Sequence, residues 1–223
     1  MKSKTIRVAS TLKFHFIDES KFNTLSVVFA FKNKSNKKTY YQLPLLASLL
    51  TNASQQYPTL SAFSKKKEDL YDARVGGHVS RVGNYQNLLI SFSGIDPSFV
   101  DDSTYLQELF SFIIQMIYHP LITENGFQDI YFSMQKQMYI QQIKAAEDDK
   151  DQYASNHISD VIRTNHPLRY NSYTPLKKIT KLTPIDLYNL YKTVLEQEVV
   201  VYICGNQVSK KAKELMAHFT MPL

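Results

Sequence analysis

Histidine is the side chain best suited to hold a metal or move a proton near neutral pH, and this chain carries six: His15, His78, His119, His157, His166 and His218. No two fall at the i, i+3 or i, i+4 spacing that sets a pair of imidazoles on one helical face. They therefore read as surface or hydrogen-bonded structural histidines rather than a metal cluster. The acidic run Glu147, Asp148, Asp149, Asp151 lacks the alternating acids, glycine and closing glutamate of a calcium loop, and reads as a solvated break between two helices. Gly76-Gly77 is followed by a predicted strand, not by the helix N-terminus a phosphate loop needs, and Gly205-Asn206 is an isolated turn. No nucleophile elbow accompanies them. The single cysteine, Cys204, cannot form an internal disulfide and sits in the apolar run from Val199, where a small buried thiol is expected.

The elements that must position such residues follow from composition and periodicity. At 223 residues, 43% hydrophobic and 21% charged, the chain is long enough for a sizeable core and is read as one domain over 1–223. Its longest apolar stretches, Leu43 to Leu50 and Leu109 to Tyr118, fall short of a bilayer span. The N-terminal residues run into a polar, alternating segment instead of a signal-peptide core, so a reducing, cytoplasmic setting is expected. A net charge of +6 raises a nucleic-acid reading. The lysines, however, are split among Lys32 to Lys38, Lys65 to Lys67, Lys177 to Lys181 and Lys210 to Lys213, the pattern of solvated surface.

Alternation at Leu12, Phe14, Phe16 and again at Leu25, Val27, Phe29, Phe31 predicts two opening strands. Leu43, Leu46, Leu49 and Leu50 recur at helical spacing, a buried helix. A second helix starts at Pro58-Thr59, and Gly76-Gly77 is read as its stop. His78 to Arg81 and Leu88 to Gly94 alternate across Gly83-Asn84 and are expected to pair as a hairpin. Helices are expected over Asp101 to Tyr118, from Thr123 as N-cap to about Glu147, over Lys150 to Arg163, and from the Thr183-Pro184-Ile185-Asp186 cap to Val194. A strand at Val199 to Cys204 and a helix at Lys210 to Phe219 close the chain. This order is not the regular alternation of a doubly wound sheet, and it predicts an α+β two-layer sandwich, its mostly antiparallel sheet covered by helices on one face.

Several stretches carry a resemblance through their order and spacing. They are the helix Gln42 to Asn52 leading into Ala-Ser-Gln-Gln-Tyr-Pro-Thr at 53–59, the Leu70-Tyr71-Asp72-Ala73 segment, and Phe132 to Asp149. Asn165-His166-Pro167-Leu168 followed by Ile179-Thr180-Lys181-Leu182-Thr183, and the strand Val199 to Gly205, complete the set. Over nearly its whole length the chain resembles the N-terminal domain of a pitrilysin/insulinase zinc metallopeptidase subunit. Active members of that family carry an inverted H-x-x-E-H on the first buried helix, where two histidines hold zinc and the glutamate activates water. The resemblance sets Pro44, Ala47 and Ser48 at those three positions. It sets Gln142 at the third ligand and Gln135 at a supporting glutamate.

The resemblance thus implies a catalytically silent subunit of a bacterial paired peptidase. It has no catalytic residues and no metal or cofactor of its own, zinc being expected only in an active insulinase-like partner subunit. A C-terminal half of the same subunit and an unfolded peptide are the further expected partners. Leu88, Leu89, Ile90 and Ser91 are the candidate edge strand for peptide binding by strand addition. A homodimer is also envisaged, formed through an open, amphipathic sheet face. Two alternatives stand beside this reading. One is an active enzyme with unusual ligands such as His78 with His157 or His166; the other is a basic nucleic-acid module using Lys65 to Lys67 and Arg74 on one helix.

Overall fold

A computed structural model describes residues 2–151, 153–155, 158 and 176–219. Strands β1 (Lys2–Ala9), β2 (Leu12–Asp18) and β3 (Thr24–Lys34) precede helices α1 (Leu43–Leu50) and α2 (Leu60–Asp69). The hairpin β4 (Arg74–Val82) and β5 (Tyr85–Ile95) leads to α3 (Tyr105–Tyr118), the two-residue strands β6 (Ile122–Thr123) and β7 (Gly126–Phe127), and α4 (Asp129–Asp148). Helices α5 (Leu176–Ile179) and α6 (Pro184–Leu195), strand β8 (Val199–Gly205) and helix α7 (Ala212–Ala217) follow.

Six strands form one sheet in the order β1-β2-β8-β3-β5-β4, in which only the β2–β8 pair is parallel. Because side chains alternate along a strand, the apolar alternation fixes which face is inward. Phe14, Phe16, Leu25, Val27, Phe29, Phe31, Leu88, Ile90, Phe92, Val201 and Ile203 are all buried on one face, against the helices. The opposite face carries their half-buried or exposed neighbours, including Val28, Ala30, Leu89, Ser91, Val200 and Tyr202. The α+β layering expected from the sequence is therefore present, with helices on one face.

Several boundaries differ from the sequence reading. Gly76-Gly77 does not end a helix: α2 stops at Asp69, the chain turns through Tyr71 and Asp72 with φ of 58° and 57°, and the glycines lie inside β4. Arg74 is consequently on a strand and not on the helix of Lys65 to Lys67, and Lys66 is engaged with Glu108 at 2.6 Å, so the basic helical patch does not form. Thr123 caps no helix. It pairs in the β6–β7 hairpin, and α4 begins at Asp129. The expected cap at Thr183 is present as a capping box: its Oγ1 accepts from Asp186 N–H, and Asp186 accepts from Thr183 N–H. The C-terminal helix is shorter than expected, Ala212–Ala217; its Ala212 and Leu215 are buried, and beyond it the Phe219 ring packs 4.4 Å from that of Phe110. The helix expected over Lys150 to Arg163 lies largely outside the described residues.

Candidate functional site

The positions singled out by the resemblance lie on α1 and α4, two helices that pack against each other, and β4 crosses α1. Helix α1 forms because leucine recurs on nearly every side of it, and six of its eight residues are buried. Pro44 fits its first turn, where the missing N–H has no intrahelical partner to lose. Its last carbonyls are satisfied by side chains: Thr51 Oγ1 donates to Ala47 O at 2.9 Å, Asn52 Nδ2 to Ser48 O at 2.8 Å, and Tyr131 Oη of α4 to Leu49 O at 3.3 Å. Ser48 Oγ donates back to Pro44 O at 3.4 Å, a bond within its own helix.

Strand β4 crosses this helix at very short range. A Cβ placed on Gly77 would meet Ala47 O at 2.8 Å and Ala47 Cβ at 3.1 Å, so the lack of a side chain lets the strand lie directly on the helix. Gln135 is buried on α4, whereas Gln142 is exposed. The donor set is thus a pyrrolidine ring, a methyl, a helix-bonded hydroxyl and two neutral amides. These side chains do not fit zinc, which takes imidazole, thiolate or carboxylate ligands. Among the described residues, no group of three His, Cys, Asp or Glu comes together elsewhere. His78 is exposed on β4, while His157 and His166 lie outside the described residues.

The candidate edge strand is corrected. Leu88, Leu89, Ile90 and Ser91 belong to β5, which pairs with β3 on one side and β4 on the other, leaving no free ladder for a peptide. The edge beside α1 is β4 itself. The sequence reading missed it because the paired glycines looked like a helix stop. The usable signal was glycine inside an alternating Val75, Val79 run, which marks close backbone approach in a strand.

The open sheet face carries a polar and a small-residue zone. His15 stacks on Tyr202 with ring centroids 5.2 Å apart, and Thr5 Oγ1 lies 2.7 Å from His15 Nδ1. Glu198 bridges Lys13 and Lys32. The hydrogen bond from Lys13, helped by the charges of both lysines, outweighs desolvation and holds its carboxyl below the ordinary range. Burial pushes the Cys204 thiol up, with the Glu19 charge adding, so it is not an activated nucleophile. No helix among the described residues is long and apolar enough to cross a membrane.

No family model matches the sequence. A Bacillus subtilis (strain 168) protein named "Probable inactive metalloprotease YmfF" is 20% identical over 204 residues, covering 91% of this chain and 48% of that protein. The chain thus spans about half the length of the curated relative it matches. In three dimensions it superposes on a conserved protein from Enterococcus faecalis V583 with a TM-score of 0.91, at 23% identity, over 99% of this chain and 52% of that one. The inactive domain of a peptidase M16 from Pseudomonas fluorescens gives 0.74 at 15% identity, covering 97% of this chain and 50% of that one. The first half of the Escherichia coli periplasmic protease PqqL gives 0.73 at 12% identity, covering 96% and 45%. The fold is that of the M16, pitrilysin-type peptidases, here with no zinc-binding side chain at the positions the resemblance sets over the metal site.

Proposed function

We propose that the chain is the N-terminal half of a catalytically silent peptidase-like subunit, which pairs with an active zinc-dependent homologue and helps enclose peptide substrate. The observation that carries this reading is the α1–β4 junction. The glycine-mediated contact of Gly77 with Ala47 keeps an edge strand tight against the helix, while Pro44, Ala47, Ser48 and Gln142 offer nothing to a metal. A scaffold retained without its donors suits binding rather than bond cleavage. In this reading β4 lends its free backbone groups to an extended peptide, a mode that tolerates many sequences. The open sheet face meets the remaining half of the subunit, whose relatives are about twice as long. The chain holds no cofactor, zinc residing in the partner, and the lone Cys204 agrees with a reducing, cytoplasmic setting.

The test combines the full-length protein with an H-x-x-E-H homologue encoded beside it. The expected outcome is a stable complex with zinc in the homologue alone, and cleavage of unstructured peptides by the pair but not by this protein on its own. One tightly held zinc per chain by elemental analysis, with chelator-sensitive cleavage by this protein alone, overturns the reading.

A further inference from the structure

Strand β1 stands at the other end of the sheet from β4, so occupancy of the two edges is separable. It is ordered by one ladder only, pairing with β2 from Lys2↔Asp18 to Ala9↔Leu12, and six of its eight residues are exposed. Only Ile6 and Ala9 pack partly against the core, and Val8 is 49% exposed. Along an edge this long, the row of backbone groups is a template for another strand. Its side chains decide which strand.

Register places Lys2 and Lys4 on the helix-covered side of the sheet, opposite Asp18 and Phe16, and Arg7 on the open side, opposite Lys13. All three are exposed, none takes part in a described ion pair, and no acidic residue precedes Asp18. Lys2 does act on Asp18, but that carboxylate is already taken up by Ser209. A second copy of β1 laid alongside would bring lysine and arginine against lysine and arginine, which is unfavourable in cross-strand positions. A strand with acids two residues apart would place them across from Lys2 and Lys4 on the same side, which is favourable.

We infer that β1 is a second docking edge, which takes an extended segment of another protein carrying acidic residues at alternate positions. The cations that prevent edge-to-edge pairing of identical chains are the same groups that select this partner.

The test uses the whole 223-residue chain and a blocked peptide alternating glutamate with valine, against a peptide of equal charge in which proline replaces the valines. Proline keeps the charge but cannot complete a ladder. The glutamate–valine peptide is expected to bind about tenfold more tightly than the proline peptide. On binding it slows hydrogen exchange of the amides from Lys2 to Ala9. The combined variant Lys2→Glu, Lys4→Glu, Arg7→Glu is expected to lose that peptide and to accept a lysine–valine one instead. Equal affinity for the proline peptide, unaltered binding by the charge-reversed variant, or protection appearing on β4 overturns the inference. Concentration-dependent protection of β1 without peptide, the mark of self-pairing, does so too. The exchange pattern is read on the unmodified chain, so the result stands even if the triple variant is poorly folded.

Discussion

Asp96 is only 2% exposed, yet it is fully used: its carboxylate accepts from Ser98 N–H at 3.0 Å, Ser98 Oγ at 2.6 Å and Asn206 N–H at 3.2 Å. Asp18 does the same for Ser209, so two acids fasten the segment after β8 to the ends of β5 and β2. Burial alone would raise both carboxyls, but these hydrogen bonds outweigh it and hold them below the ordinary range. A depressed folded pKa gives stability that is present above the unfolded value, about 4, and is lost as pH falls through the lower folded value. Asp96→Ala is therefore expected to cost about 1–3 kcal/mol at neutral pH by stranding buried donors. Urea unfolding should show its deficit relative to the parent shrinking as the pH is taken below about 4. A deficit that is the same at both pH values would contradict this role. Nothing in the sequence marks Asp96 as a tie, because its partner Asn206 lies 110 positions away.

At the scale of elements, the two neighbouring glycines of β4 differ. The Cβ of a residue at Gly77 meets backbone atoms of Ala47 at 2.8 Å, and backbone cannot move aside, whereas at Gly76 it meets Ser91 Oγ at 3.2 Å, a side-chain hydroxyl that can rotate away by giving up its hydrogen bond to Gly76 O. Gly77→Ala should then destabilise by about 1–3 kcal/mol and Gly76→Ala by clearly less, as read from thermal midpoints. Thr183→Ala should cost about 1 kcal/mol through loss of the capping box. The capping box was legible in sequence because cap chemistry is local, fixed by Thr183 and Asp186 three residues apart. The buried α1 was legible for the same reason. Strand β1 was not, since Lys-Ser-Lys-Thr-Ile-Arg-Val-Ala has too few apolar residues to alternate, and its pairing comes from β2. The residues that the resemblance sets at the metal positions lie on α1 and α4, while the sheet edge was assigned one strand too far in, because helix stops and strand glycines look alike in one dimension.

For the molecule as a whole, the open sheet face is the largest asymmetry. Val28, Ala30, Leu89 and Val200 sit among Ser91, His15 and Tyr202 on a surface that no described helix covers. A face half apolar and half polar should give weak self-association of the isolated chain rather than precipitation. Sedimentation over a range of concentrations is expected to show a reversible monomer–dimer equilibrium that Leu89→Glu abolishes. A strict monomer at high concentration would contradict it. The α+β layering was visible in the order of segments. Strand order was not, because it depends on where β8 inserts.

That insertion governs how the chain can acquire its structure. Within this sheet β8 is the latest strand in sequence order, yet it lies between β2 and β3, pairing Phe14 with Val201 and Phe29 with Val201 across its two sides. Until Val199 to Gly205 has emerged from the ribosome, the early strands have an empty lane between them and their phenylalanines have no common sheet to share. Local hairpins and helices can form first, but closure of this sheet waits on a contact between strands far apart in sequence, the kind of long-range pairing that folds slowly and leaves apolar surface open meanwhile.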